Sequence, residues 1–183
     1  MKKKIILLIL ILILSMGGNA FLKLAVFGKM PSGARLERII KSPNFRNGSF
    51  QNQSITPDLT DGATYLSVMK EFALSDKKGQ KPENKIPSQK TDLLNLDPKE
   101  NILVWFGHSS YFIQIDGKKI LMDPVLSGNA APFSFATKAF EGTDRYTIED
   151  LPQIDYLFIS HDHYDHLDHK TIVKLLPKVT TVI

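Results

Sequence analysis

Six consecutive residues, His161-Asp162-His163-Tyr164-Asp165-His166, hold three of the five histidines of this 183-residue chain. His161 and His163 lie two apart just past a short apolar run, where extended backbone sends alternate side chains to the same side. Two imidazoles converging in this way are a partial ligand set for zinc. Asp165 and His166 follow one turn later, where a carboxylate and a third imidazole can address a second ion. Asp162 and Tyr164 read as spacers. The plainer alternative is a polar loop whose histidines are solvated or act as caps. Cysteine is absent, which excludes disulfides and thiolate ligands, so a metal must be held by imidazole and carboxylate. Such ligands do not choose among zinc, iron and manganese.

The elements that must position this cluster are readable from pattern. Tyr156 to Ile159 is a short apolar strand feeding directly into it. A helix from about Asp168 to Leu176 follows, with Asp168 as N-cap and Pro177 closing the pattern. Upstream, Ile102 to Phe106 is a continuous apolar run suited to a buried strand. Tyr111 to Ile115 alternates, and Asp116-Gly117 is a two-residue hairpin signal leading into Lys119 to Met122. Val179 to Ile183 reads as one more strand. Before Asn101 the period is helical: Leu36, Ile39 and Ile40 share a face within Pro31 to Lys41, and Tyr65, Leu66, Met69, Phe72 and Ala73 mark Thr64 to Leu74. Asn44 to Asn52 reads as a polar loop with an Asn47-Gly48 turn. Ser75 to Asp92, with five lysines, two prolines and no aromatic residue, reads as a linker.

Composition sets the limits. Apolar residues make up 43% and charged residues 23% of the chain, the balance of a globular protein rather than a disordered one. The net charge of +4 rests on Lys2, Lys3 and Lys4; without them 20 basic residues face 19 acidic ones. A basic excess this local argues against a nucleic-acid partner. The three lysines precede an unbroken apolar run, Ile5 to Leu14, and small residues lead to Ala20. That layout predicts a secretory signal or a membrane anchor over residues 1–22, and hence a membrane-associated or exported protein. Cleavage and anchoring stay open.

The motif residues, taken with their surroundings, resemble the metallo-β-lactamase superfamily. His161-x-His163-x-Asp165-His166 after a short apolar strand is similar to its hallmark. Trp105-Phe106-Gly107-His108-Ser109-Ser110, Leu121-Met122-Asp123-Pro124, and Asp150-Leu151-Pro152-Gln153-Ile154-Asp155 resemble one branch, N-acyl-phosphatidylethanolamine-hydrolysing phospholipase D and its bacterial relatives. Pro31 to Arg38 and Phe50-Gln51-Asn52 are similar to the leader of bacterial members. The likeness covers most of Phe27 to Ile183, apart from Ser75 to Asp92.

This resemblance implies an α/β (α+β) fold: the N-terminal lobe of a four-layer αββα sandwich, incomplete, with residues 99–183 as its share and 23–98 as a family-type extension. It implies a site for two divalent metal ions, usually Zn2+, with His161 and His163 on the first and Asp165 and His166 on the second. Asp165 would also be catalytic, orienting the water that two metals acidify. Asp123 is implied as a partner that orients a ligand histidine, the alternative being a strand-end turn carboxylate. His108 would line the same site, the alternative being a structural loop histidine. In the family, three further ligands lie downstream of the motif. No histidine follows His169 here and no aspartate follows Asp168. The chain is therefore expected to be incomplete, and inactive unless a second chain supplies the rest. The implied activity is hydrolysis of phosphodiester or ester bonds in a small-molecule or lipid substrate, phospholipase D-like on N-acyl phospholipids. Two alternatives remain: a lactonase or other ester hydrolase of the same fold, and a non-catalytic remnant or binding module.

Overall fold

The computed structural model describes residues 17–183. The chain divides into two compact units, Met1–Lys78 and Gly79–Ile183.

In the first unit, helix α1 spans Gly33–Ile40 and stops just before Ser42-Pro43. Strands β1 (Phe45–Arg46) and β2 (Ser49–Phe50) pair antiparallel around Asn47-Gly48. Both turn residues have positive φ, 53° and 82°, the backbone of a type I′ turn whose twist matches a hairpin. The stretch read as a polar loop is thus a small hairpin. Phe45 and Phe50 meet edge to face across it, with centroids 5.3 Å apart. Helix α2 spans Tyr65–Leu74 and opens on a capping box. Ser67 N–H donates to Thr64 Oγ1 at 3.1 Å, and Thr64 N–H donates to Ser67 Oγ at 2.9 Å. Neither helix contains a buried residue.

The second unit is built on a five-stranded mixed sheet in the order β3-β4-β5-β6-β7. Strands β3 (Ile102–Gly107), β4 (Ser110–Ile115) and β5 (Lys118–Met122) form an antiparallel meander. Asp116 and Gly117, with φ of 48° and 75°, make the tight turn between β4 and β5 that their types demand. Strand β6 (Ile154–Phe158) joins β5 in parallel, and β7 (Val179–Val182) joins β6 in parallel. Parallel neighbours need a crossover. Helix α3 (His169–Leu175) and a 3-10 turn over Leu176–Lys178 supply the one between β6 and β7.

The core lies on one face of this sheet. Phe112, Leu121 and Leu157 occupy neighbouring register positions on β4, β5 and β6 and are fully buried. Leu93, Tyr146, Leu151, Ile154 and Leu175 complete the cluster. At roughly 25 cal/mol per Å² of apolar surface removed from water, this layer is the unit's main source of stability. On β3 the alternation sends Leu103 and Trp105 the other way, 63% and 66% exposed. Part of the lysine-rich stretch before the sheet is docked on this unit. Ile86 N–H donates to Glu141 O at 2.9 Å, and Thr91 N–H to the Tyr146 hydroxyl at 2.7 Å.

The expectation of a membrane-associated or exported protein is corrected. No helix among the described residues is long and apolar enough to cross a membrane. Helix α2, at ten residues, reaches only about 15 Å against a hydrocarbon core of about 30 Å. The Ile5–Leu14 run behind that expectation lies outside the described residues.

Candidate metal centre

Strands β3, β5 and β6 run in the same direction, so their C-terminal ends meet at one edge of the sheet. Ligand sites in open α/β sheets form at this end of the strands. Three segments converge there: His108 after β3, Asp123 after β5, and residues 160–166 after β6. Each is pinned by local chemistry. The N–H groups of His166 and Leu167 both donate to His163 O, at 3.0 and 2.7 Å, which turns the loop back on itself. Asp168 then caps α3. Its buried carboxylate accepts from Lys170 N–H at 3.1 Å, from the Thr171 hydroxyl at 2.5 Å, and from Ser127 N–H of a neighbouring loop at 3.0 Å.

Two residues at this edge hold backbone conformations that few non-glycine residues adopt: His108 at φ 47° and Asp123 at φ 41°. The Trp105 indole N–H donates to His108 O at 2.9 Å and holds the first. The buried Ser110 hydroxyl donates to Asp123 O at 2.6 Å and accepts from Val125 N–H at 3.1 Å, clamping the second. Asp123 N–H donates to Phe158 O at 3.0 Å, so the carboxylate is registered on the end of β6.

The side chains form a compact cluster. One ligand atom each from His108, Asp165 and His166 lies within 4.8 Å of the others. His108 Nε2 stands 2.9 Å from Asp165 Oδ2, and His166 Nε2 stands 3.8 Å from the same oxygen. The His166 ring also approaches those of His161 (3.9 Å between centroids) and His108 (5.1 Å), and His161 meets His163 at 4.6 Å. Asp123 Oδ2 lies 2.9 Å from His166 Nδ1 and anchors that ring from behind. Burial would raise the Asp123 carboxyl, but hydrogen bonds from His166 and Ser160 outweigh it and hold the group below the ordinary carboxylate range. Asp165 is also lowered: desolvation opposes, while its own backbone N–H and the charges of His166 and His108 prevail. Both side chains are therefore anionic at neutral pH.

Of the residues named from sequence, Asp165 and His166 fall in the three-residue group; His161 meets the His166 ring, and His163 meets only the ring of His161. His108 joins the group from a different strand. Ser160 was missed. Its N–H donates to Asp123 Oδ1 at 2.7 Å and its hydroxyl to Asp123 Oδ2 at 2.6 Å. The available signal was its position, directly between an apolar strand and the first histidine. Imidazole nitrogens and carboxylate oxygens are the donors that borderline divalent ions take, and nothing else in the group competes, so the residues present fit such an ion. A cavity of about 500 Å³ opens beside the cluster, with His108 and Asp165 in its wall along with Trp105, Val125, Phe140 and Tyr146. That volume suits a small-molecule ligand.

Residues 102–182 match the beta-lactamase superfamily domain. An uncharacterized protein of Mycobacterium tuberculosis is 32% identical over 136 residues, covering 74% of this chain and 37% of its own length. N-acyl-phosphatidylethanolamine-hydrolyzing phospholipase D 1 of Caenorhabditis elegans is 32% identical over 151 residues, covering 72% of this chain and 38% of its own length. A metal-dependent hydrolase of Caldivirga maquilingensis is 32% identical over 65 residues, covering 36% of this chain and 23% of its own length. The chain thus spans little more than a third of the length of the first two relatives. The five-stranded mixed sheet and the His/Asp cluster at its strand ends thus fall within the 102–182 segment that matches the beta-lactamase superfamily domain.

Proposed function

We propose that this chain contributes the metal-binding segment of a metal-dependent hydrolase that cleaves phosphodiester or ester bonds, in the manner of a phospholipase D acting on N-acyl phospholipids. The observation that carries this reading is the convergence of His108, Asp165 and His166 at the ends of β3 and β6, with His161 and His163 alongside. The relatives support it: one is a phospholipase D by name and another a metal-dependent hydrolase.

In this reading His161 and His163 hold one divalent ion and Asp165 and His166 a second, zinc being the ion that the resemblance implies. When bound, such ions supply Lewis acidity and a water acidified toward neutrality. The chain's own residues do the rest. Asp123 fixes the His166 ring by its Nδ1 proton. Asp165, ionised and only partly buried, accepts a hydrogen bond from His108 and from a reacting water in the same place. The neighbouring cavity receives the body of a small-molecule or lipid substrate, and its apolar walls exclude bulk water from the reacting edge.

Metal uptake is the direct test. The purified chain, equilibrated with Zn2+ and then dialysed, should retain about one equivalent or more by elemental analysis. The double variant His161→Ala/His163→Ala should lose the ion that those two rings hold. Retention unchanged in that variant would sink the assignment. Zinc-loaded chain offered N-acylphosphatidylethanolamine, alongside a simple carboxylic ester, separates the two bond classes by the product released.

A further inference from the structure

We propose that Ser160 is a positioning residue that fixes the ring tautomers of the cluster by relaying the charge of Asp123 to His161, so that both His161 and His166 keep Nε2 free of a proton. The relay's use in binding a cation rests on the metal-site reading above; the tautomers themselves do not.

Proton counting at four close contacts carries the argument. The Ser160 hydroxyl has a single proton. Its oxygen lies 2.6 Å from Asp123 Oδ2, 3.0 Å from His161 Nδ1 and 3.2 Å from His166 Nδ1. An ionised carboxylate has no proton to offer, so the shortest of these contacts takes the hydroxyl proton. The contact with His161 then requires Nδ1 of that ring to be the donor. His166 Nδ1 lies 2.9 Å from the same carboxylate oxygen and must donate for the same reason. A neutral imidazole protonated on Nδ1 presents a bare lone pair on Nε2, the form in which it binds a cation. Asp123 secures His166 directly but reaches His161 through the serine hydroxyl. The second Ser160 bond, from N–H to Asp123 Oδ1 at 2.7 Å, stops the carboxylate from rotating out of this arrangement. One side chain thus coordinates an acid from β5 with two histidines after β6.

The test compares wild-type chain, Ser160→Ala and Ser160→Thr, without metal, by long-range proton–nitrogen correlation spectra at a pH where the histidines are neutral. Wild type and the threonine variant should show both His161 and His166 protonated on Nδ1. In Ser160→Ala, His161 should move to the Nε2–H form that a free imidazole prefers, while His166, still held by Asp123, should not move. That unchanged His166 signal also reports that the variant has folded. In a Zn2+ titration Ser160→Ala should bind roughly 10- to 100-fold more weakly, and threonine should restore most of the loss. Finding His161 protonated on Nε2 in wild type, or on Nδ1 in Ser160→Ala, would overturn the proposal. Expected tautomers in a chain that takes up no Zn2+ would leave the relay standing and remove the metal reading instead.

Discussion

Phe72 and Phe112 are the same residue in the two halves of this molecule, and they end in opposite environments. Phe72 belongs to the apolar stripe of α2 and is 78% exposed; Phe112, on β4, is fully buried. The stripe of α2 is regular and its N-terminus is well capped, so the helix forms where the pattern says it should. What differs is company. Phe112 has β3 and β5 hydrogen-bonded on either side, and it shares a core cluster with Leu121, Leu157 and Leu175. Periodicity specifies an element, whereas burial needs a second surface of matching shape.

The largest effect that sharpens this contrast comes from truncating the two phenylalanines. Phe112→Ala should destabilise the second unit by about 3–5 kcal/mol, the usual cost of a large cavity in a closed core. Phe72→Ala should stay within about 0.5 kcal/mol. Urea denaturation followed by far-UV circular dichroism reads both. A costly Phe72→Ala would mean that the face of α2 is covered in solution.

Helix caps repeat the comparison one step down in energy. Thr64 caps α2 in the open, and Thr64→Ala should cost about 1 kcal/mol or less of helix stability. Asp168 caps α3 while fully buried and also serves Ser127 N–H and the Thr171 hydroxyl. Asp168→Ala strands those donors away from water, so about 2–4 kcal/mol is expected from the cap and unmet hydrogen bonds together. The same denaturation curves decide it, and equal costs for the two caps would remove the distinction.

How much of this was legible beforehand depended on the range of the interaction. The Asp168 cap, the Asp116-Gly117 turn and the strands around them follow from neighbours a few residues apart, and each is visible in the sequence. His161, His163, Asp165 and His166 stand out because they are packed into six positions. His108 is 57 residues upstream of Asp165 and meets it only because β3 and β6 run the same way to one edge. Ser160 gave no compositional signal, since its role exists only once Asp123 arrives from β5. The left-handed backbone of His108 and Asp123 was equally invisible, because Trp105, Ser110 and Phe158 impose it by contacts that no local propensity contains. The docking of Ile86 and Thr91 was hidden in the same way, by a composition that reads as linker.

Glycines extend the comparison to the backbone. Gly48, in the first unit's hairpin, has φ 82° with open space where a side chain would project. Gly142, in the second, has φ 96°, and a Cβ there would collide with the Ile86 carbonyl. Gly48→Ala should therefore lose only the conformational term, about 1 kcal/mol. Gly142→Ala should lose that term and also push the docked 85–86 segment away. Faster amide exchange at Ile86, whose N–H is bonded to Glu141 O, is the readout, and unchanged protection would show that the clash is absorbed elsewhere.

The smallest effect concerns Lys90 and Asp150, 60 residues apart and joined at 2.8 Å on the surface of the second unit. The Lys90 ammonium is the main cause holding the Asp150 carboxyl below its ordinary 3.8, helped by the N–H and hydroxyl of Thr147 against mild desolvation. A carboxyl whose folded pKa is depressed adds stability above its unfolded pKa, and that increment disappears as pH falls through the folded value. With Lys90 more than a third exposed, solvent screening keeps the pair near 0.2–1 kcal/mol. Asp150→Asn should therefore lower stability slightly and evenly from neutrality down to about pH 5, with the gap to wild type closing below about pH 4. High salt should narrow the gap at neutral pH, because both groups face solvent. A gap that widened on acidification would mean that the carboxylate is a liability to the fold, and that the Lys90 segment is held instead by Thr91 on the Tyr146 hydroxyl.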